Sequence, residues 1–136
     1  MEDHLRALLS STHGGALVTI KRDGRPQLSN VSYAFADGVI RVSVTDGRAK
    51  TANLRRDPRA SFYVSPSFRG YVVAEGIAEL TPVVRDPHDE TVEELIDVYR
   101  SISGEHPDWD EYREAMVNDR RLVVRVPVDR VYGFMQ

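Results

Sequence analysis

Two of the three Asp-Gly pairs set the frame of this chain. Asp23-Gly24 follows the apolar run Ala16–Lys21, and Asp37-Gly38 lies between a run over Gln27–Phe35 and another over Val39–Val44. Asp-Gly flanked by strand-like runs favours a tight hairpin, because the turn needs backbone conformations that these two residues adopt cheaply. Two hairpins in succession commit the first third of the chain to antiparallel β structure. Within Val39–Val44 the apolar residues alternate with Arg41 and Ser43, the period of a half-buried strand. Pro26 stands at the start of its run, where a missing N–H is tolerated. Further strands are expected over Ala60–Val64 and Gly70–Leu80, separated by a Ser65-Pro66-Ser67 turn and closed by Pro82. A last strand is expected over Leu122–Val126 and Arg130–Phe134, kinked at Pro127.

Helical periodicity appears between these runs. Asp3–Ser11 places Leu5, Leu8 and Leu9 on one face, with Gly14 and Gly15 expected to end it. A short helix over Arg48–Arg55 is expected to be capped by Thr45 or Asp46 and stopped by Pro58. In Thr91–Ile102 the residues Val92, Leu95, Ile96, Tyr99 and Ile102 form one apolar face, and Gly104 ends it. Asp108 caps a further helix reaching Asn118. The expectation is a mainly β (α+β) fold: a six-stranded antiparallel barrel with added helices, one domain over residues 1–136. A chain of this size, 41% hydrophobic and 29% charged, can bury a core without staples.

Several chemistries are excluded at this level. There is no cysteine, so disulfides and thiolate nucleophiles are absent. His4, His13, His88 and His106 are scattered without metal-ligand spacing, and no metal site is expected. No Gly-x-Ser-x-Gly elbow, P-loop or dinucleotide fingerprint occurs. A net charge of −3 gives no global attraction for nucleic acid or an anionic membrane. No apolar run approaches the roughly 20 residues of a membrane span, and the first twelve residues lack a signal-peptide core. A cytoplasmic protein is the expectation. Asp86, Asp89, Glu90, Glu93, Glu94 and Asp97 crowd one helix start, where the helix dipole favours them.

Three segments hold candidate ligand residues. Arg48-Ala-Lys50-Thr51-Ala-Asn53 opens a helix after a strand. Free N–H groups and the macrodipole attract anions there, and Arg48 and Lys50 add two charges that disfavour the isolated helix. A bound phosphate explains them; so does a solvated basic helix paired with surface carboxylates. Asp46 competes for the same N–H groups. The strand opening Gln27-Leu28-Ser29-Asn30 is polar enough to hydrogen-bond the edge of a heterocycle, or to be an exposed edge strand. Tyr71, Arg130 and Tyr132 are either packing residues or the wall of a ring-binding cleft.

Together, Thr19–Val31 and Arg48–Arg59 resemble the first hairpin and basic helix of the pyridoxamine 5′-phosphate oxidase-like split barrels. Val73–Gly76, Gly104–Arg113 and Val131–Gly133 resemble, more narrowly, the actinobacterial branch that uses the deazaflavin coenzyme F420. The resemblance covers nearly the whole chain. It implies an FMN-binding-like split β-barrel homodimer with cofactor sites at the subunit interface. It implies that Arg48 and Lys50 hold the cofactor phosphate, with Thr51 and Asn53 nearby. Gln27, Leu28, Ser29 and Asn30 would line the ring and polyol, Val44 would also touch the cofactor, and Tyr71 and Arg130 would close the partner's site. The implied activity is F420-dependent hydride transfer to a quinone, tetrapyrrole or unsaturated lactone. The alternatives are an FMN oxidoreductase of the same fold or a non-catalytic cofactor carrier. Catalytic residues are not assigned. The pyridoxamine 5′-phosphate oxidases proper carry Arg-x-His near the C-terminus; Asp129-Arg130-Val131-Tyr132 lacks that histidine, which argues against vitamin B6 oxidation.

Overall fold

The computed structural model describes residues 2–136. Helix α1 (Glu2–Ser11) leads into strands β1 (Gly14–Ile20), β2 (Pro26–Ser32), β3 (Ala34–Ala36) and β4 (Val39–Thr45). Helix α2 (Ala49–Arg56) precedes β5 (Arg59–Ser67), β6 (Gly70–Ile77) and β7 (Glu79–Leu80). Helices α3 (Glu90–Ser103) and α4 (Trp109–Asn118) precede the long β8 (Arg121–Met135). The strands form one antiparallel half-barrel in the order β2-β1-β5-β6-β8-β4-β3, with β7 also on β8. No helix among the described residues is long and apolar enough to cross a membrane.

Among the described residues, eight strands replace the expected six. The expected Gln27–Phe35 strand breaks at Tyr33, whose buried ring turns inward. Its hydroxyl donates to the Leu9 carbonyl at 2.8 Å and so ties the hairpin to α1. The Gly70–Leu80 run breaks at Ala78, whose N–H goes to Pro58 instead of a ladder partner. Two boundaries also move. Gly14 and Gly15 belong to β1, and β5 runs through Ser65-Pro66-Ser67, so the reversal falls at Phe68-Arg69.

The two Asp-Gly pairs that join strands turn differently. Asp37 (φ 53°) and Gly38 (φ 77°) are both left-handed, a two-residue link between paired Ala36 and Val39. At the first hairpin only Gly24 is left-handed, and five residues separate paired Ile20 and Pro26.

Strand β8 joins the two parts of the sheet. Arg121–Pro127 pair with β4, and Val128–Met135 with β6. Asp129 is an extra residue between these registers, a bulge that bends the strand. Gly76 lies against the bend: a Cβ there would stand 2.1 Å from the Pro127 carbonyl oxygen.

Two cores result. Leu9, Leu17, Phe62, Val72 and Leu122 fill the half-barrel interior. Each such side chain contributes about 1.5–3 kcal/mol on burial. Leu95, Val98, Tyr112 and Met116 of the helical pair pack against Ala34 and Val123 on the other side of β3, β4 and β8. The acidic residues of α3 are partly consumed in holding it there. Asp89 caps the helix, Arg41 reaches Asp97 at 2.6 Å, and Arg125 pairs with Glu94.

Candidate functional site

The strand β4 ends at Thr45, and the chain turns through Asp46-Gly47 into α2. Neither Thr45 nor Asp46 caps the helix, contrary to the sequence-based expectation. Arg48 occupies the cap position in an extended conformation, with no side-chain hydrogen bond to the first turn. The Asp46 carboxylate is instead taken by Arg55 at 2.6 Å and Arg120 at 2.8 Å. The hydrogen bond from Arg55 is the main cause holding its carboxyl below the ordinary value. The competitor for the helix N–H groups is therefore engaged elsewhere. The first turn keeps its free donors and its positive dipole end.

Arg48 and Lys50 flank this helix mouth, and both line a cleft of about 510 Å³. A volume of that size suits a small-molecule ligand, for which roughly 300–1,000 Å³ is usual. A third cation, Arg121, lines the same cleft; it opens β8 directly opposite Thr45. Among the described residues, neither Arg48 nor Lys50 forms an ion pair. Burial lowers the Lys50 pKa most, and the charges of Arg48 and Arg121 lower it further. Arg121 Nη1 donates to Ser43 Oγ at 3.4 Å. Its Nε is buried and meets no acceptor among the described residues, and Asp119 Oδ2, at 3.9 Å, is too far for a hydrogen bond. Leaving such a donor unmet costs about 1–3 kcal/mol, which an anion would recover.

The remainder of the cleft is largely apolar. Leu95, Val98, Tyr99 and Ile102 of α3 and Tyr112 and Met116 of α4 form one wall. Tyr112 is fixed by its hydroxyl, which donates to the Leu95 carbonyl at 3.1 Å. Burial pushes its phenol up to about 12, so it stays neutral at physiological pH. On the opposite rim, Asn30, Val31 and Ser32 line the cleft and also a shallow outer-face groove with Gly15, Ala16 and Tyr63.

Of the residues singled out in the sequence, the structure gathers Asn30, Val44, Arg48 and Lys50 around this cleft. Gln27, Ser29 and Asn53 belong to a neighbouring network. Asn53 Nδ2 donates to Thr19 Oγ1 at 3.1 Å, Thr19 Oγ1 to Gln27 Oε1 at 3.1 Å, and Gln27 Nε2 to Ser29 Oγ at 2.9 Å. Gln27 and Asn53 also line a groove on another side of α2, with Lys21, Arg22, Arg55 and Arg56. Thr51 is fully buried, and its hydroxyl donates to the Thr45 carbonyl at 2.8 Å, which fastens α2 to β4. Leu28, Tyr71 and Arg130 point to the outer face of the sheet. Tyr71 stacks on Tyr63 at 5.7 Å, and Arg130 lies 3.8 Å from Glu75. Arg121, Ser43 and the α3–α4 wall were not found by sequence reasoning. Arg121 lies seventy residues from the basic helix, and only the β4–β8 register brings it there.

The class this defines is a split half-barrel whose cleft has one apolar wall and ends in three cations at an uncapped helix mouth. The chain belongs to the pyridoxamine 5′-phosphate oxidase family, which matches residues 1–134. Among solved structures it is similar to a conserved hypothetical protein from Mycobacterium tuberculosis: 28% identity over 99% of this chain and 84% of that one, with a TM-score of 0.75. It shares its fold with an F420 reductase, at 24% identity over 93% and 94% of the two chains and a TM-score of 0.65. A heme binding protein from Mycobacterium smegmatis matches at 25% identity and a TM-score of 0.70, over 95% of this chain and 51% of that one.

Proposed function

We propose that this chain is an F420-dependent reductase acting as a homodimer. The observation that carries the reading is the cluster of Arg48, Lys50 and Arg121 around free helix N–H groups, with no carboxylate within hydrogen-bonding distance of the buried Arg121 Nε. A phosphate ester suits those donors through charge-assisted hydrogen bonds. Both F420 and FMN carry one. Lys21 and Arg22, in the groove beside α2, support the longer, anionic tail of F420 over FMN, while Arg55 there is held by Asp46 and Arg56 by Ile20 and Asn53. Asn30, with the neighbouring β2 backbone, orients the ring along the rim, and the α3–α4 wall excludes water from one side. When bound and reduced, F420 supplies hydride to a conjugated acceptor such as a quinone, tetrapyrrole or unsaturated lactone.

The homodimer reading rests on the outer face. Leu28, Val18, Tyr63, Val73 and Tyr132 share that face, with Tyr71 and Phe134 in the adjoining row. Leu28, Tyr63, Tyr132 and Phe134 are all exposed, an apolar patch of the kind that marks an interaction surface. A second copy on this face would bring its own Tyr71 and Arg130 toward the rim of the cleft.

The test is a fluorescence titration of the wild type and of Arg48→Ala/Lys50→Ala with F420 and with FMN. Each lost charged hydrogen bond costs about 1.5–3 kcal/mol, so the double variant is expected to bind at least about a hundredfold more weakly. Equal affinity in the double variant rejects the phosphate site. Tighter binding of FMN than of F420 by the wild type favours the FMN oxidoreductase. Tight binding without reduction of any conjugated acceptor favours a cofactor carrier.

A further inference from the structure

The basic helix leaves one cation of the cleft unaccounted for. Arg121 comes from the far end of the chain, yet two ties place it at the helix mouth. Asp46 N–H donates to the Arg120 carbonyl at 2.9 Å, and the Arg120 guanidinium returns to the Asp46 carboxylate at 2.8 Å. These bonds stitch the turn before β8 to the turn before α2. Arg121 then follows in register opposite Thr45, with one arm on Ser43. The neighbouring carboxylates do not satisfy it: Asp46 is engaged by Arg55 and Arg120, and Asp119 stops at 3.9 Å. What is left is a buried, unpartnered Nε–H on a residue that lines the cleft.

We propose that Arg121 is a ligand-binding residue, the third arm of the anion clamp, whose Nε–H takes an oxygen of the bound phosphate ester. The inference deepens the reading of the cleft as a phosphate-ester site and rests on it. A guanidinium suits the position better than an ammonium does. Its planar fork holds Ser43 with one nitrogen while presenting another, in fixed geometry, to a second acceptor. Gathering three cations is unfavourable in the free protein: burial lowers the Lys50 pKa most, and the charges of Arg48 and Arg121 lower it further. An anion shared by all three relieves that repulsion.

The experiment compares the wild type with Arg121→Ala, Arg121→Lys and Asp119→Ala, titrated with F420 and with FMN, alongside thermal melts. Arg121→Ala is expected to weaken binding about 10- to 100-fold, the loss of one charged hydrogen bond. Arg121→Lys keeps the charge but not the Nε–H geometry and is expected to restore only a minor part. Asp119→Ala is expected to bind like the wild type, which a merely structural Arg121–Asp119 pairing would not allow. In the ligand-free protein, Arg121→Ala is expected to move the Lys50 pKa toward its ordinary value, read by NMR. Unchanged affinity in Arg121→Ala, full restoration by lysine, or an unmoved Lys50 each overturn the proposal while leaving the cofactor reading standing. A wild type that binds neither F420 nor FMN overturns both.

Discussion

Tyr112→Phe tests whether the cleft wall is fixed as described, and its signature is a stability difference that changes with pH. The Tyr112 ring is 8% exposed, and it packs against Tyr99 at 5.2 Å and Trp109 at 5.4 Å. Its hydroxyl donates to the Leu95 carbonyl, so α4 is hydrogen-bonded to α3 at this point. Removing the hydroxyl at neutral pH deletes one neutral hydrogen bond, a loss of about 1 kcal/mol. Burial raises the phenol from 10.0 to about 12 in the folded state. The folded protein therefore holds this proton where the unfolded chain has lost it. The stability is fully present below pH 10, declines above it, and is gone once the folded pKa is passed. At about pH 11 the linkage relation gives a loss of roughly 1.4 kcal/mol, or about 1 kcal/mol after discounting for residual solvent contact. Phenylalanine cannot ionise and escapes this loss. Urea unfolding of both proteins, followed by circular dichroism, should show the wild type ahead by about 1 kcal/mol at pH 7 and nearly level at about pH 11. All other titrations cancel in the difference. A gap that stays constant across that range would refute the buried, carbonyl-bound hydroxyl.

Asp46→Asn removes the carboxylate that holds Arg55 and Arg120 together, and it should weaken phosphate-ester binding several-fold although all three clamp cations remain; titration calorimetry reads this. Because the Asp46 carboxyl is held below 3.8, its stabilisation is present above that value and lost as pH falls through the folded pKa, so the variant should lose less stability on acidification. Gly76→Ala forces a methyl against the Pro127 carbonyl at the β8 bend and should cost about 3 kcal/mol or more, seen as a lower Tm. Phe134→Arg, on the exposed outer face, should shift sedimentation toward a single chain without lowering Tm sharply; an unchanged sedimentation coefficient would reject the outer-face dimer.

The local signals in the sequence were the dependable ones. Asp108 caps α4, Gly104 ends α3 at φ 79°, and Asp37-Gly38 turns with both residues left-handed, because each of these depends only on neighbouring backbone. The strand count failed where a distant partner overrode the local pattern. Tyr33 leaves the strand to bond Leu9, and Ala78 leaves it to bond Pro58. The cap of α2 failed for the same kind of reason. Asp46 is a good cap in isolation, but two arginines, one of them seventy-four residues away, outbid the helix N–H groups. Arg48 and Lys50, which both line the cleft, could be paired from the sequence because they lie within three residues of each other. The third charge was not, since nothing near Arg121 in sequence marks it.

The positions implied by the family resemblance divide between two surfaces, and this division carries its own argument. Asn30, Val44, Arg48 and Lys50 line the cleft, whereas Leu28, Tyr71 and Arg130 look outward from the sheet. A ligand anchored by its phosphate at the helix mouth can leave the cleft over Asn30–Ser32, which also rim the groove beside Tyr63. From there it meets the outer face of the same sheet edge. Tyr71 lies behind Tyr63, and Arg130 lies farther across β6 on β8. Neither lines the cleft of its own chain. If both touch the cofactor, a second copy must supply them, and the apolar rows on that face give the copy a reason to dock. Dimerisation and ligand binding are then one question. A variant that separates the copies should lose ring contacts and keep phosphate affinity, while loss of the clamp cations should do the reverse.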